Sequence, residues 1–216
     1  MMPDNQLTCK ICNHISNNQI LEVREMYFGT REVFNYLECS SCGCLQLLNP
    51  PKDYSVHYPK DYFTFQQEHE SKIKSLLNRY RDKAAMGEES LLGNILFKKY
   101  GKPTYITRLK IAGVGLKDSI LDVGCGKGIL LHKMKESGFA NVLGIDPFID
   151  DTITYPNGLK ILKEDFNELA GRFDFIMFNH SFEHMEKPLE VMKQSNRNLN
   201  KNKFLLLRIP VADSYA

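Results

Sequence analysis

The order of apolar and polar residues divides the chain into three regions with different predicted structures. Near the N-terminus, alternating hydrophobicity predicts two short β-strands at Ile20–Met26 and Val33–Glu38. In the middle, apolar residues at helical spacing predict three helices: Ser71 to Gly87, Glu88 to Tyr100, and one capped by Thr104 that ends before Gly113. From Asp118 onward apolar strands alternate with helices, which indicates an α/β domain with a parallel sheet. The predicted regions are therefore residues 1–65, 66–117 and 118–216.

Composition and charge narrow the class of protein. Hydrophobic residues make up 43% of the 216 residues and charged residues 25%, which favours a folded globular chain over a disordered one. The start of the chain lacks the pattern of a signal peptide, and its longest apolar stretch, Phe204–Ala212, is short and contains Arg208. We therefore predict a cytoplasmic protein without a membrane partner.

Charge is uneven along the chain although its formal sum is only +2, which is too small to predict a nucleic-acid partner. Residues 72–110 contain 10 basic and 3 acidic side chains, a net charge of +7. Such a segment can attract a phosphate-bearing substrate, for example a sugar nucleotide or RNA. Solvent-exposed faces of amphipathic helices produce the same charge, and we favour that simpler interpretation.

Two Cys-x-x-Cys pairs in the first region predict a structural zinc site. Cys9 and Cys12 form one pair, Cys39 and Cys42 form the other, and 26 residues lie between them. Two such turns supply four thiolates, a set that suits tetrahedral Zn²⁺ and leaves no coordination position for a reactive water. With the two predicted strands this is the pattern of a zinc ribbon. A strap rich in proline and tyrosine, residues 49–65, follows it.

A glycine-rich loop is the most informative motif of the third region. An apolar strand leads into Asp122, Gly124, Gly126 and Gly128, a helix follows, and a second strand ends at Asp146. This order is typical of a nucleotide-binding βαβ unit in which the terminal acid accepts hydrogen bonds from ribose hydroxyls.

The identity of the predicted ligand depends on two positions of this motif. A dinucleotide fingerprint requires a glycine where this chain has Ile129, and Asp122 would repel a pyrophosphate. S-adenosylmethionine carries a sulfonium and an ammonium group and has no phosphate, so a nearby carboxylate favours it. We therefore predict S-adenosylmethionine rather than NAD.

These motifs resemble the class I S-adenosylmethionine-dependent methyltransferases over Asp118–Ala216. The resemblance implies a Rossmann-like sheet in which the three glycines line the methionine portion, Asp165 and Phe166 frame the adenine, and Asn179 lies beside the methyl group. The family's sheet has seven strands, whereas this chain ends just after the segment expected to form the fifth. We therefore expect either a fragment whose sheet is truncated after the fifth strand or a sheet whose edge a partner chain covers. We expect an apolar edge at Phe204–Ile209, which a second copy of the chain could cover in a homo-oligomer.

The ribbon, the strap and the segment Leu205–Ser214 together resemble methyltransferases of surface-polysaccharide and deoxysugar biosynthesis. That likeness implies a sugar-type small-molecule acceptor. Candidates for the base that removes the acceptor's proton are His180, Glu183 and His184, and candidates for acceptor contacts are Arg208, Asp213 and Ser214. Two alternatives remain open: an RNA methyltransferase, and a non-catalytic module that binds S-adenosylmethionine or zinc.

Overall fold

The computed structural model describes residues 7–26, 29–51, 71–88 and 90–211. These residues belong to two compact units, one built on a three-stranded sheet and the other on a six-stranded sheet with helices. The predicted strap, apart from residues 49–51, and the candidate contacts Asp213 and Ser214 lie outside the described residues. None of the helices in the described part of the chain has the length and apolar character that crossing a bilayer requires.

The smaller unit is an antiparallel sheet of three short strands. Strand β1 covers Gln19–Arg24, β2 covers Val33–Glu38 and β3 covers Leu45–Leu47, in the spatial order β1-β2-β3. The third strand was not predicted. Among the described residues, the buried core of this unit consists of Leu37 and two cysteines, Cys9 and Cys39. So small an apolar core provides little stabilisation by itself.

In the part of the chain that the structure describes, three helices precede the larger sheet: α1 at Lys72–Met86, α2 at Leu91–Tyr100 and α3 at Thr104–Ile111. The predicted ends of α1 are confirmed, since the Ser71 side chain accepts a hydrogen bond from the Lys74 amide and Gly87 adopts a φ of 100°. Helix α2 begins later than predicted because Ser90 caps it. The predicted cap of α3 was wrong by one residue: Pro103 occupies that position and Thr104 is helical.

The larger sheet contains six strands in the order β6-β7-β5-β4-β8-β9. In chain order its elements are β4 (Ser119–Val123), α4 (Ile129–Glu136), β5 (Asn141–Ile145), β6 (Ile153–Thr154), β7 (Lys160–Leu162), β8 (Phe173–Asn179), α5 (Pro188–Asn198) and β9 (Leu199–Arg208). All pairs are parallel except β6 with β7. This arrangement confirms the predicted Rossmann-like fold. Because the strands are parallel, the segments that follow β4, β5, β7 and β8 meet at one edge of the sheet.

At one side of the sheet, between β5 and β7, the chain forms the two-residue strand β6 and no helix within the described residues. At the other side, β9 pairs only with β8 among the described residues, and the Phe204 side chain on it is 56% exposed. Coverage of that edge by a second copy stays a prediction.

Candidate functional site

The glycine loop connects β4 to α4 in a conformation that only small residues tolerate. Gly124 and Gly128 have φ values of 71° and 73°, in the left-handed region. A Cβ atom on Gly124 would lie 2.5 Å from the Ser181 Cβ, and one on Gly128 would lie 2.4 Å from the Ile161 Cδ1. Both positions therefore require glycine for backbone conformation and for packing. The N-terminus of α4, with its unpaired amide groups, follows the loop directly.

Asp146 anchors this loop from the end of the neighbouring strand. Its side chain is buried, with 7% of the residue exposed. One carboxylate oxygen accepts a hydrogen bond from the Gly126 amide at 2.8 Å, and the other accepts one from the Phe148 amide at 2.9 Å. Because each carboxylate oxygen has two lone pairs, Asp146 keeps the capacity to accept further hydrogen bonds from a ligand hydroxyl.

Asp122 lies beneath the loop in β4 and is 3% exposed. The Asn179 side-chain amide at the end of β8 donates a hydrogen bond to its Oδ1 at 3.3 Å. Burial is the main cause that raises the pKa of Asp122 to about 7; the hydrogen bond from Asn179 opposes this increase, and the charge of Asp146 contributes to it. A carboxyl group with this pKa changes charge near neutral pH, so a cation bound beside it would favour the ionised form.

This shift predicts a pH dependence of ligand binding. We expect the affinity for S-adenosylmethionine to rise with pH between about 6 and 8, with release of a proton, because the cationic ligand binds the ionised form of Asp122 better. Calorimetry at several pH values checks this expectation. In the free protein the same raised pKa lowers the free energy of unfolding as the pH rises from about 4 to about 7, since the unfolded chain ionises more readily.

The matched control for the pH dependence of donor binding is Asp122→Asn, which keeps the shape of the side chain and removes its charge. The pH dependence should disappear in this variant. In the wild type, the pH dependence should also be weaker for the binding of S-adenosylhomocysteine, whose sulfur is neutral. Identical pH profiles for the variant and the wild type would contradict the assignment.

His180 directly follows β8 and adopts an unusual backbone conformation. Its φ is 54°, and its amide donates a hydrogen bond to the Arg208 carbonyl oxygen of β9 at 2.8 Å. The imidazole is about half exposed, at 48%, and its Nδ1 lies 3.8 Å from the Glu183 Oε1. A positive φ outside glycine is uncommon, and the hydrogen bond to β9 holds His180 in this conformation. The structure thus brings His180 and Glu183 together, while His184 lies exposed at the end of the short helix Phe182–His184.

The residues predicted to surround the adenine lie after β7 and differ in exposure. Asp165 is exposed, and one of its oxygens accepts hydrogen bonds from the Asn167 amide and side chain, both at 2.8 Å. Phe166 is only 3% exposed and packs edge-on against Phe178, with ring centroids 5.5 Å apart. In this conformation Phe166 could meet a ligand only through its backbone.

Sequence reasoning missed two residues of this edge. Ser181 is buried, and its hydroxyl donates to the Val123 carbonyl oxygen while its Cβ packs against Gly124. Phe148, two residues after Asp146, is 78% exposed. An aromatic ring exposed beside the predicted ribose acid is a platform on which a base can stack. Its position two residues beyond a strand-terminal acid was the only sequence signal.

The four predicted zinc ligands form a second cluster, in the smaller unit. The sulfur atoms of Cys9 and Cys42 are 3.7 Å apart, those of Cys12 and Cys39 are 3.6 Å apart, and all four lie within 4.8 Å of one another. Tetrahedral zinc with Zn–S bonds of about 2.3 Å places sulfur atoms about 3.8 Å apart. The donor set and its geometry therefore fit a Zn²⁺ ion.

The backbone around the cysteines supports the same conclusion. The residues after the two pairs, Asn13 and Gly43, have φ values of 60° and 69°, so the two turns have matching shapes. Burial raises the pKa of the Cys9 thiol, but hydrogen bonds from the Cys12 and Ile11 amides and from the Gln46 side chain lower it more, to about 6. A hydrogen bond from the Cys44 amide lowers the pKa of Cys42, but burial and the neighbouring thiols raise it more, to about 12. The donors around Cys9 thus stabilise a thiolate there, which is the form that binds metal.

The fold and the glycine loop define the larger unit as a Rossmann-like α/β domain. Residues 65–216 match a family model described as Methyltransferase domain, and the chain belongs to this family. A search of curated proteins found no match.

Solved structures with a similar fold include three methyltransferases. The magnesium protoporphyrin IX methyltransferase from Synechocystis PCC 6803 with bound SAH is 14% identical, with a TM-score of 0.42 over 69% of this chain and 66% of its own. The plantazolicin methyltransferase BpumL is 18% identical, with a TM-score of 0.34 over 68% of this chain and 48% of its own. Coclaurine N-methyltransferase is 16% identical, with a TM-score of 0.40 over 73% of this chain and 52% of its own. The aligned region thus spans less than two thirds of each of these three chains.

Proposed function

We propose that this protein transfers a methyl group from S-adenosylmethionine to a small-molecule acceptor. The observation that supports this most strongly is the pairing of Asp146 with the Gly126 amide, because it places a buried carboxylate against a glycine loop at the carboxyl edge of a parallel sheet. The nearby carboxyl group of Asp122 favours a cationic ligand over a diphosphate.

The arrangement of residues along this edge suggests how the donor binds. Asp146 accepts hydrogen bonds from the ribose hydroxyls, and the exposed ring of Phe148 stacks on the adenine, with Asp165 at its amino group. The methionine portion then extends along the glycine loop toward Asn179. This orientation directs the methyl group toward the end of β8, where His180 lies.

His180 is the proposed general base. Glu183 favours the tautomer with the proton on Nδ1, which leaves Nε2 to accept the acceptor's proton. In the reaction, the acceptor's lone pair attacks the methyl carbon, the carbon–sulfur bond breaks and its electron pair stays on sulfur, and the proton moves to His180. S-adenosylhomocysteine and the methylated acceptor result.

A sugar or sugar nucleotide is the acceptor class that we propose, on the basis of the sequence resemblance. The test is incubation with methyl-labelled S-adenosylmethionine and a panel of nucleotide-linked sugars and deoxysugars, with RNA as a parallel sample. Label in a sugar product, over many turnovers, would support the proposal. Donor binding without transfer to any sugar, or label in RNA alone, would contradict it.

Replacing the proposed base gives a kinetic prediction. We expect His180→Gln to lower kcat by about 10²–10⁴-fold, the usual contribution of a general base, with little change in donor affinity. Glu183→Gln should cause a smaller loss because it affects only the orientation of the imidazole. Turnover of the labelled donor with the best acceptor of the panel measures both effects.

The control for this prediction is His132→Gln, which makes the same change on α4, where the ring packs against Tyr155. This variant should retain full activity. A loss of kcat confined to His184→Gln, with His180→Gln active, would show that the base was assigned to the wrong histidine.

The zinc site has a structural role in this proposal. All four coordination positions are filled by cysteine, so no position remains for a reactive water. Zn²⁺ would cross-link the two cysteine turns of a unit whose apolar core is very small.

A further inference from the structure

The hairpin formed by β6 and β7 contacts the backbone of the glycine loop through one side chain. The two strands are antiparallel, and the Tyr155 amide donates a hydrogen bond to the Leu159 carbonyl oxygen at 2.9 Å, which closes the turn between them. The Tyr155 hydroxyl donates a hydrogen bond to the carbonyl oxygen of Lys127 in the glycine loop at 2.7 Å. A residue 28 positions later in the chain is therefore bonded directly to the loop.

The Lys127 carbonyl belongs to a peptide group that local sterics restrict only weakly. Its second residue is Gly128, which has no Cβ to limit φ and adopts a φ of 73°. Hydrogen bonds at both ends hold this peptide group in place. The carbonyl oxygen accepts from Tyr155, and the Gly128 amide donates to the Cys125 carbonyl oxygen at 3.0 Å. Without the hydroxyl, the carbonyl end would lose the partner that the structure describes for it.

The orientation of this peptide group determines where the first turn of α4 begins. Helix α4 starts at Ile129, immediately after it, and the His132 amide donates to the Gly128 carbonyl oxygen at 2.8 Å. The first amides of a helix have no partner within the helix and are available to a ligand. Rotation of the Lys127–Gly128 peptide would therefore displace donors on both sides of it, in the loop and in the first turn.

The hairpin lies along α4, so the position of the Tyr155 hydroxyl is well defined. The half-buried ring packs against the hydrophobic core and edge-on against His132, with ring centroids 5.3 Å apart and an interplanar angle of 73°. Near the other end of the helix, the Asn157 side-chain amide donates to the Glu136 carboxylate at 3.2 Å. These contacts fix the hairpin against the helix at two levels.

On the basis of the proposed function, we propose that Tyr155 is a positioning residue for the methyl donor. It holds the Lys127–Gly128 peptide group in the orientation that donor binding requires, and it acts through the loop without touching the donor. Pre-organisation of this kind increases affinity because less ordering remains to be done on binding. Its loss should therefore change the affinity for the donor and the donor KM, and leave kcat at saturating donor nearly unchanged.

The variant Tyr155→Phe tests this role because it keeps the ring and removes only the hydroxyl. We expect calorimetry to show about three- to tenfold weaker binding of S-adenosylhomocysteine, the usual effect of one hydrogen bond. The donor KM should rise by the same factor, with kcat within about twofold of the wild type. In the ligand-free variant the Gly128 and His132 amides should exchange their hydrogens faster than in the wild type, and bound S-adenosylhomocysteine should restore their protection.

The matched control is Tyr105→Phe, which removes a hydroxyl from a hydrogen-bond network outside the glycine loop. That hydroxyl contacts the Asp82 carboxylate at 2.8 Å and the Ser137 hydroxyl at 3.2 Å. The control variant should have a lower melting temperature, but its affinity for S-adenosylhomocysteine should stay within about twofold of the wild type.

Three results would overturn the inference: equal affinity in Tyr155→Phe and wild type, an equal loss of affinity in Tyr105→Phe, or a fall in kcat with an unchanged donor KM. Unchanged exchange of the Gly128 and His132 amides would also contradict it. If the wild type bound neither S-adenosylmethionine nor S-adenosylhomocysteine, the proposed function would fail and this inference with it. Normal binding by the wild type with no effect of Tyr155→Phe would overturn this inference alone.

Discussion

The variant Asp146→Ala is expected to bind S-adenosylmethionine about 10²–10⁴-fold more weakly than the wild type. In the proposed complex the ribose hydroxyls donate two hydrogen bonds to this carboxylate, each contributing about 1.5–3 kcal/mol, and the substitution removes both. About 1.4 kcal/mol corresponds to a factor of ten in affinity. It also leaves the Gly126 and Phe148 amides without their acceptor, so the loop loses its anchor. Calorimetric titration of the donor into both proteins measures the difference.

Two further variants separate the role of Asp146 in binding from a general effect of charge. Asp146→Asn keeps one acceptor oxygen and should lose less affinity than the alanine variant. Asp151→Ala removes an exposed carboxylate from the same connection between strands and should bind like the wild type. If Asp146→Ala and wild type bound the donor equally, and both were folded by circular dichroism, the ribose would not be bound by Asp146.

The sequence predicted the elements whose conformation is determined by residues that are neighbours in the chain, such as the glycine loop. Gly124 and Gly128 mark the loop because their φ values and their close neighbours exclude a side chain. Strand β3 was missed because Leu45–Leu47 is too short to show alternation, and it forms only by pairing with β2. Strand β9 begins at Leu199, earlier than its apolar run, because Leu199 pairs with Phe173 of β8 before an irregularity in the register, and regular pairing resumes at Phe204.

The candidate site was predictable where one motif contains its residues and not where distant segments meet. Asp122 and Asp146 belong to a single βαβ pattern. Ser181 donates a hydrogen bond to the carbonyl oxygen of Val123, which lies 58 positions earlier in the sequence. No rule of sequence spacing connects Ser181 with the βαβ pattern.

The second large effect concerns metal. We expect each chain to bind one Zn²⁺ through Cys9, Cys12, Cys39 and Cys42, and the small β-sheet unit to unfold when a strong chelator removes it. Structural zinc in small domains contributes an apparent free energy of about 10–16 kcal/mol at neutral pH, whereas the core that the structure describes in this unit has one buried leucine besides two of the ligands. Metal analysis, and hydrogen exchange of the β1–β3 amides with and without chelator, measure the two effects.

Cysteine variants provide the matched comparison for this prediction. Cys39→Ser should lose zinc and the protection of the β2 amides, because Cys39 is buried and its sulfur lies 3.6 Å from that of Cys12. Cys44→Ser and Cys125→Ser also remove a thiol, but neither belongs to the cluster, so both should retain one metal ion per chain. Cobalt substitution supplies an independent readout, since tetrahedral thiolate ligation gives Co²⁺ a characteristic visible spectrum. A metal-free chain with the β1–β3 amides still protected would mean that hydrogen bonds and Leu37 alone hold this unit together.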